Sequence, residues 1–146
     1  MEQEGGGFYI ATSEPRDKEM AKRILIHQER RGPLWQTIEE PIFLVDTLLS
    51  FNGQKKPALV DCLTLWLTNI LLLDKDIEKE LDELCALVMN IDYPVVFISN
   101  EVGQGVIPDN SLAREFIDWS GKMNQQISGV SDLVIFVTAG IPQILK

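Results

Sequence analysis

Apolar and polar positions along this chain fall into two alternating patterns. Short apolar runs occur at "FYIAT" (8–12), "ALVDC" (58–62), "VVFIS" (95–99) and "LVIFVT" (133–138), and each reads as a strand. Between them, Ile77, Leu81, Leu84 and Val88 recur at steps of four, three and four. Leu112, Phe116, Trp119, Met123 and Ile127 repeat that spacing over a longer stretch. Both spacings predict helices that bury one stripe. The segment 14–31, "EPRDKEMAKRILIHQERR", has only a thin apolar stripe through Met20 and Ile24, so it reads as a surface helix closed by Gly32-Pro33. Strands alternating with helices predict an α/β domain with a largely parallel sheet, and no repeat or internal boundary divides it.

A parallel sheet is buried on both faces, so its polar side chains collect where strands end, along the carboxyl edge. Thr12-Ser13, Asp61, Asn100-Glu101 and Thr138-Ala139-Gly140 all lie at or just after the end of an apolar run. The fold itself is therefore expected to gather them along one edge, which is the default ligand site.

Composition narrows the function classes. The 146 residues are 45% apolar with a mean hydropathy of +0.03, which fits a globular protein with a real core. A net charge of −9 and a pI near 4.5 disfavour a broad nucleic-acid surface, while a local cationic pocket can still hold a nucleotide phosphate. Cys62 and Cys85 lack the short paired spacing of a zinc site and read as buried thiols in a reducing compartment. The start has no cationic segment leading into an apolar one, and the run near "LWLTNILLL" is too short and too polar to span a bilayer. A cytoplasmic protein without a membrane span is expected.

Each candidate group has a plain reading beside its chemical one. Asp61 closes a buried run, where a carboxylate can ligate magnesium beside a nucleotide or simply hydrogen-bond a loop or cap a helix. His27, the single histidine, is either a solvated side chain or a nucleophile able to attack an α-phosphate, with Arg30 and Arg31 nearby to offset phosphate charge. In "NEVGQGVIP", Gly103 and Gly105 permit turns or close approach to a ligand, Pro108 stiffens the exit, and Asn100-Glu101 supply polar groups. Trp35, Trp66 and Trp119 read as packing residues, and "KDIEKELDE" as a solvated helix face.

Four stretches, in order, resemble one family: "YIATSEPRDKEMAKRILIHQERRGPLWQTIEEP", "LVDCLTLWLTNIL", "VVFISNEVGQGVIPDNSLAREFIDWSGKMNQQIS" and "LVIFVTAGIPQILK". The chain is similar to the bifunctional adenosylcobinamide kinase/adenosylcobinamide-phosphate guanylyltransferases of cobalamin biosynthesis. The resemblance implies a P-loop NTPase-like (RecA-like) sheet with flanking helices. It also implies phosphorylation of adenosylcobinamide by ATP or GTP, then GMP transfer from GTP through a guanylylated histidine, with Mg2+ as cofactor. By position in the motifs it implies His27 as the guanylylated residue, Thr12, Ser13, Gln28, Arg30, Arg31 and Glu39 as nucleotide contacts, and Asp61 as the magnesium candidate. Asn100, Glu101, Gly103 and Gly105 would line the substrate edge.

Members of that family begin with a strand, a G-x-x-x-x-G-K-[ST] loop and a helix, where this chain has "MEQEGGG". The expectation is a sheet with its first strand and P-loop missing, residues 1–7 forming a stub and 8–146 one domain. Triphosphate binding would then be much weaker, with loss of kinase and guanylyltransferase turnover expected for this chain alone, and an open sheet edge would favour a homo-oligomer. The alternative is a non-catalytic nucleotide-binding, corrinoid-binding or assembly protein derived from the same family.

Overall fold

The computed structural model describes residues 6–14 and 34–146. The expected helix over 14–31 falls largely outside them, as do His27, Gln28, Arg30 and Arg31. Four short strands, β1 (Gly7–Ala11), β2 (Trp35–Glu39), β3 (Ala58–Asp61) and β4 (Val95–Ile98), form an all-parallel sheet in the order β2-β1-β3-β4. The helices are α1 (Leu44–Leu49), α2 (Leu63–Leu72), α3 (Ile77–Val88) and α4 (Ser111–Val130).

The register sorts the side chains between the two faces of the sheet. Phe8, Ala58 and Val95 are aligned, as are Ile10, Val60 and Phe97, and successive residues of a strand point to opposite faces. Phe8, Ile10, Ala58 and Val60 belong to the core together with Leu44, Leu48, Trp66, Leu67, Leu81, Leu84 and Met123 from the four helices, and the partly buried Val95 and Phe97 pack against it. Phe8 stacks on Phe51 with ring centroids 4.0 Å apart, which closes one end of the core. Tyr9, Leu59 and Val96 form a row on the other face, followed by Ala11, Asp61 and Ile98. Tyr9 and Ala11 are buried, whereas Val96 and Ile98 are 39% and 42% exposed. No described strand pairs with the outer edge of β4.

The spacing of "KDIEKELDELCALV" produces α3 as expected, with Ile77, Leu81 and Leu84 buried and Asp76 capping its start by accepting from the Lys79 amide. The longer stripe produces α4, whose cap Asn110 accepts from the amides of Leu112 and Ala113.

One expectation is corrected. The run "LVIFVT" does form a strand, β5 (Ile135–Thr138), but it pairs antiparallel with β6 (Ile141–Ile144) in a separate two-stranded sheet. Ala139 and Gly140 both have positive φ, 52° and 76°, which reverses the chain in a two-residue turn. A parallel strand needs a crossover of a dozen residues or more, so Thr138-Ala139-Gly140 sit at a hairpin tip, not at the carboxyl edge of the parallel sheet.

Candidate functional site at the strand ends

The remaining predicted groups do meet at the carboxyl ends of β1, β3 and β4, held there by buried side chains. Thr12, directly after β1, is fully buried. Its Oγ1 accepts from the Cys62 amide at 2.8 Å and donates to the Cys62 carbonyl at 2.7 Å, while its own amide donates to the Asp61 carbonyl at 3.1 Å. The Thr12 hydroxyl thus locks the exit of β3 against that of β1. Ser13 follows and is half-buried.

Asp61 is half-exposed at the last position of β3, and the peptide joining it to Cys62 is cis. The Tyr9 hydroxyl donates to Asp61 Oδ2. The contact follows from register: Asp61 is opposite Ala11, so Tyr9, two residues earlier on the same face, is its diagonal neighbour. Trp35 presents its ring edge-on to Tyr9 at 6.2 Å, completing a row of three side chains across β2, β1 and β3. Burial pushes the Cys62 thiol above its ordinary range, the charge of Asp61 adds to this, and hydrogen bonds from Leu65 and Thr64 oppose it.

Two residues of α2 bind the other strand ends. Asn69, 4% exposed, donates through Nδ2 to the Thr12 carbonyl at 2.8 Å and to the Pro41 carbonyl, just past β2, at 3.0 Å. Thr64 Oγ1 accepts from the Asn100 amide, just past β4, at 2.9 Å. From α4, Asn124 Nδ2 donates to the Asn100 carbonyl and to Glu101 Oε1, and its Oδ1 accepts from Ser99. All four strand exits are therefore tied together through α2, α4 and Thr12.

Glu39 is exposed at the end of β2, whereas its neighbour Glu40 turns to accept from the amides of Ile42 and Phe43, where α1 begins. Gly103 and Gly105 lie in the exposed loop between β4 and α4. A Cβ on Gly103 would meet only Ile117, at an ordinary 3.7 Å, and one on Gly105 would meet nothing. The same loop exposes Val106 and Ile107 almost completely. Two hollows, of about 260 and 290 Å3, are lined by residues of α2, α3, α4 and the turns beside them, away from Thr12, Asp61 and Asn100.

Sequence reasoning found Thr12, Asp61, Asn100 and Glu101 because each follows an apolar run. It missed Tyr9, Thr64, Asn69 and Asn124, which lie inside a strand or helices. For Asn69 one signal was present: an amide in the otherwise apolar stretch "LWLTNILLL", which has to be hydrogen-bonded if that stretch is buried.

A parallel sheet with flanking helices and a polar cluster at its carboxyl edge makes this an α/β protein whose architecture agrees with the P-loop NTPase-like class. Comparison with known proteins is more specific, and the chain belongs to the cobinamide kinase / cobinamide phosphate guanyltransferase family, which it matches over residues 1–145. It is 41% identical over 140 residues to the bifunctional adenosylcobalamin biosynthesis protein CobP of Pseudomonas aeruginosa, an alignment covering 94% of this chain and 81% of that protein. Identity to the CobU proteins of the same description is 36% in Salmonella typhimurium and 32% in Escherichia coli, each covering 92% of this chain and 82% of the relative. No helix among the described residues is long and apolar enough to cross a membrane.

Proposed function

We propose that this chain performs the chemistry for which its family is named, phosphorylation of adenosylcobinamide and transfer of GMP from GTP to the resulting phosphate, with His27 as the residue that carries GMP. The observation supporting this most is the family match over residues 1–145, which spans the strand-end cluster and the segment that bears His27 in one continuous stretch. In the guanylyl step an imidazole nitrogen of His27 attacks the α-phosphorus of GTP. A P–N bond forms, the bond to the bridging oxygen breaks, and pyrophosphate leaves. The phosphate of the corrinoid then attacks the same phosphorus, and the P–N bond breaks to return free histidine.

Thr12, Ser13, Gln28, Arg30, Arg31 and Glu39 are the nucleotide contacts in this reading, and Asn100, Glu101, Gly103 and Gly105 line the corrinoid side. Asp61 would hold Mg2+, which neutralises charge on the phosphates. A single half-exposed carboxylate, with no cluster of three His, Cys, Asp or Glu among the described residues, suits an ion bound mainly by substrate phosphates and water. A homo-oligomer is part of the same reading, supported by the outer edge of β4, which has no strand partner among the described residues, and by the exposed Val96 and Ile98.

Intact mass after incubation with GTP and magnesium tests the assignment. One GMP is expected on the chain and none on His27→Ala. An adduct that survives His27→Ala would remove the histidine from the mechanism.

A further inference from the structure

Asp61 is held in two places by one neighbouring strand. Its carbonyl accepts from the Thr12 amide, and the Thr12 hydroxyl closes on the amide and the carbonyl of Cys62, so its backbone is fixed from just past β1. Its side chain is fixed from within β1, where the Tyr9 hydroxyl donates to Oδ2. Tyr9 is 6% exposed and stands in a row that continues through Leu59 and Val96, both apolar. Packing in such a row asks only for a ring, which phenylalanine would supply. The hydroxyl adds a buried polar group that has to be hydrogen-bonded. Diagonal register delivers it to a carboxylate, and a bond to an ionised acceptor is among the stronger ones a side chain makes. Asp61 itself is half-exposed, so a carboxylate anchored from inside the sheet is still open to a ligand from outside.

We propose that Tyr9 is a positioning residue for the cation site at the strand ends: by engaging one oxygen of Asp61 it holds the carboxylate in one orientation and leaves the other oxygen to the ion. The inference rests on the reading of Asp61 as the residue that holds Mg2+. Tyr9 is too deeply buried to touch the ion or the nucleotide. What it supplies is order before binding, because a carboxylate already held in place loses less freedom when the cation arrives. Removing a group that hydrogen-bonds a metal ligand typically lowers metal affinity by about ten- to a hundredfold.

The test compares the unsubstituted chain with Tyr9→Phe, which keeps the ring and its contact with Trp35 and removes only the hydroxyl, with Asp61→Asn, and with the two substitutions combined. Binding of GTP with Mn2+ standing in for Mg2+ is followed by water-proton relaxation, which separates the protein-bound complex from Mn2+ and GTP in solution. The temperature is one at which circular dichroism shows every variant folded. Tyr9→Phe is expected to raise the dissociation constant of the Mn2+-GTP complex about tenfold. In the Asp61→Asn background the same change should add nothing, because the hydroxyl then has no ligand to orient. Equal affinities for the unsubstituted chain and Tyr9→Phe, with Asp61→Asn weakened, overturn the positioning role and leave Asp61 as the ligand. A further loss in the double variant also overturns it, because the hydroxyl would then act through packing. Asp61→Asn binding as tightly as the unsubstituted chain, or an unsubstituted chain that does not bind the complex, rejects the reading of Asp61 and the role of Tyr9 with it.

Discussion

Tyr93 donates its hydroxyl to the Leu48 carbonyl at 2.5 Å within the core, where it is 5% exposed. Burial, with a smaller contribution from Asp92, pushes its pKa from the ordinary 10.0 up to about 12. The sign follows from proton binding. Above the ordinary value the unfolded chain loses this proton while the folded one retains it, so the stabilisation is complete below pH 10 and is lost as pH rises toward 12. Urea unfolding over that range should show a decline of up to about 3 kcal/mol from this group. Tyr93→Phe, less stable at neutral pH, should decline less steeply and close the gap; parallel curves would remove Tyr93 as the cause. The two thiols follow the same rule. Burial raises both Cys62 and Cys85, Asp61 adding to the first and Asp82 to the second, so neither is poised as a nucleophile at neutral pH.

At the scale of elements, local caps and periodic stripes carry most of what the sequence reveals. Asn110 caps α4 through two amides, and Asn110→Ala should cost about 1 kcal/mol, read as a lower urea midpoint with unchanged slope. Helices α3 and α4 were legible because their apolar residues recur on one stripe. In α2 the run "LWLTNILLL" is apolar on nearly every side, so periodicity could not distinguish it from a buried strand. β2 is a half-exposed edge strand and α1 only six residues long, and neither has enough contrast to stand out. β5 was recognised as a strand and assigned to the wrong sheet, because alternation identifies a strand and not its partner. The candidate site divides in the same way. Residues that follow apolar runs could be read directly, whereas Tyr9, Thr64, Asn69 and Asn124 depend on diagonal register and on which loops the helices cross.

For the molecule as a whole, helices among the described residues pack into the core against one face of the parallel sheet. β4 leaves one ladder edge without a described partner, with Val96 and Ile98 exposed beside it. Such an edge favours pairing between chains, and a lysine there opposes it. Sedimentation velocity should show association that rises with protein concentration and weakens in Val96→Lys; sedimentation as a monomer at all concentrations would contradict the proposed oligomer. The tryptophans add a practical consequence. Trp66 is sealed in the core with its Nε1–H bonded to the Ile42 carbonyl, whereas Trp35 stands edge-on to the tyrosine that holds Asp61. Fluorescence therefore has a silent reference and a local reporter in one chain: emission from Trp66 should remain blue and constant until the fold is lost, while a shift when ligand reaches the strand ends should come from Trp35.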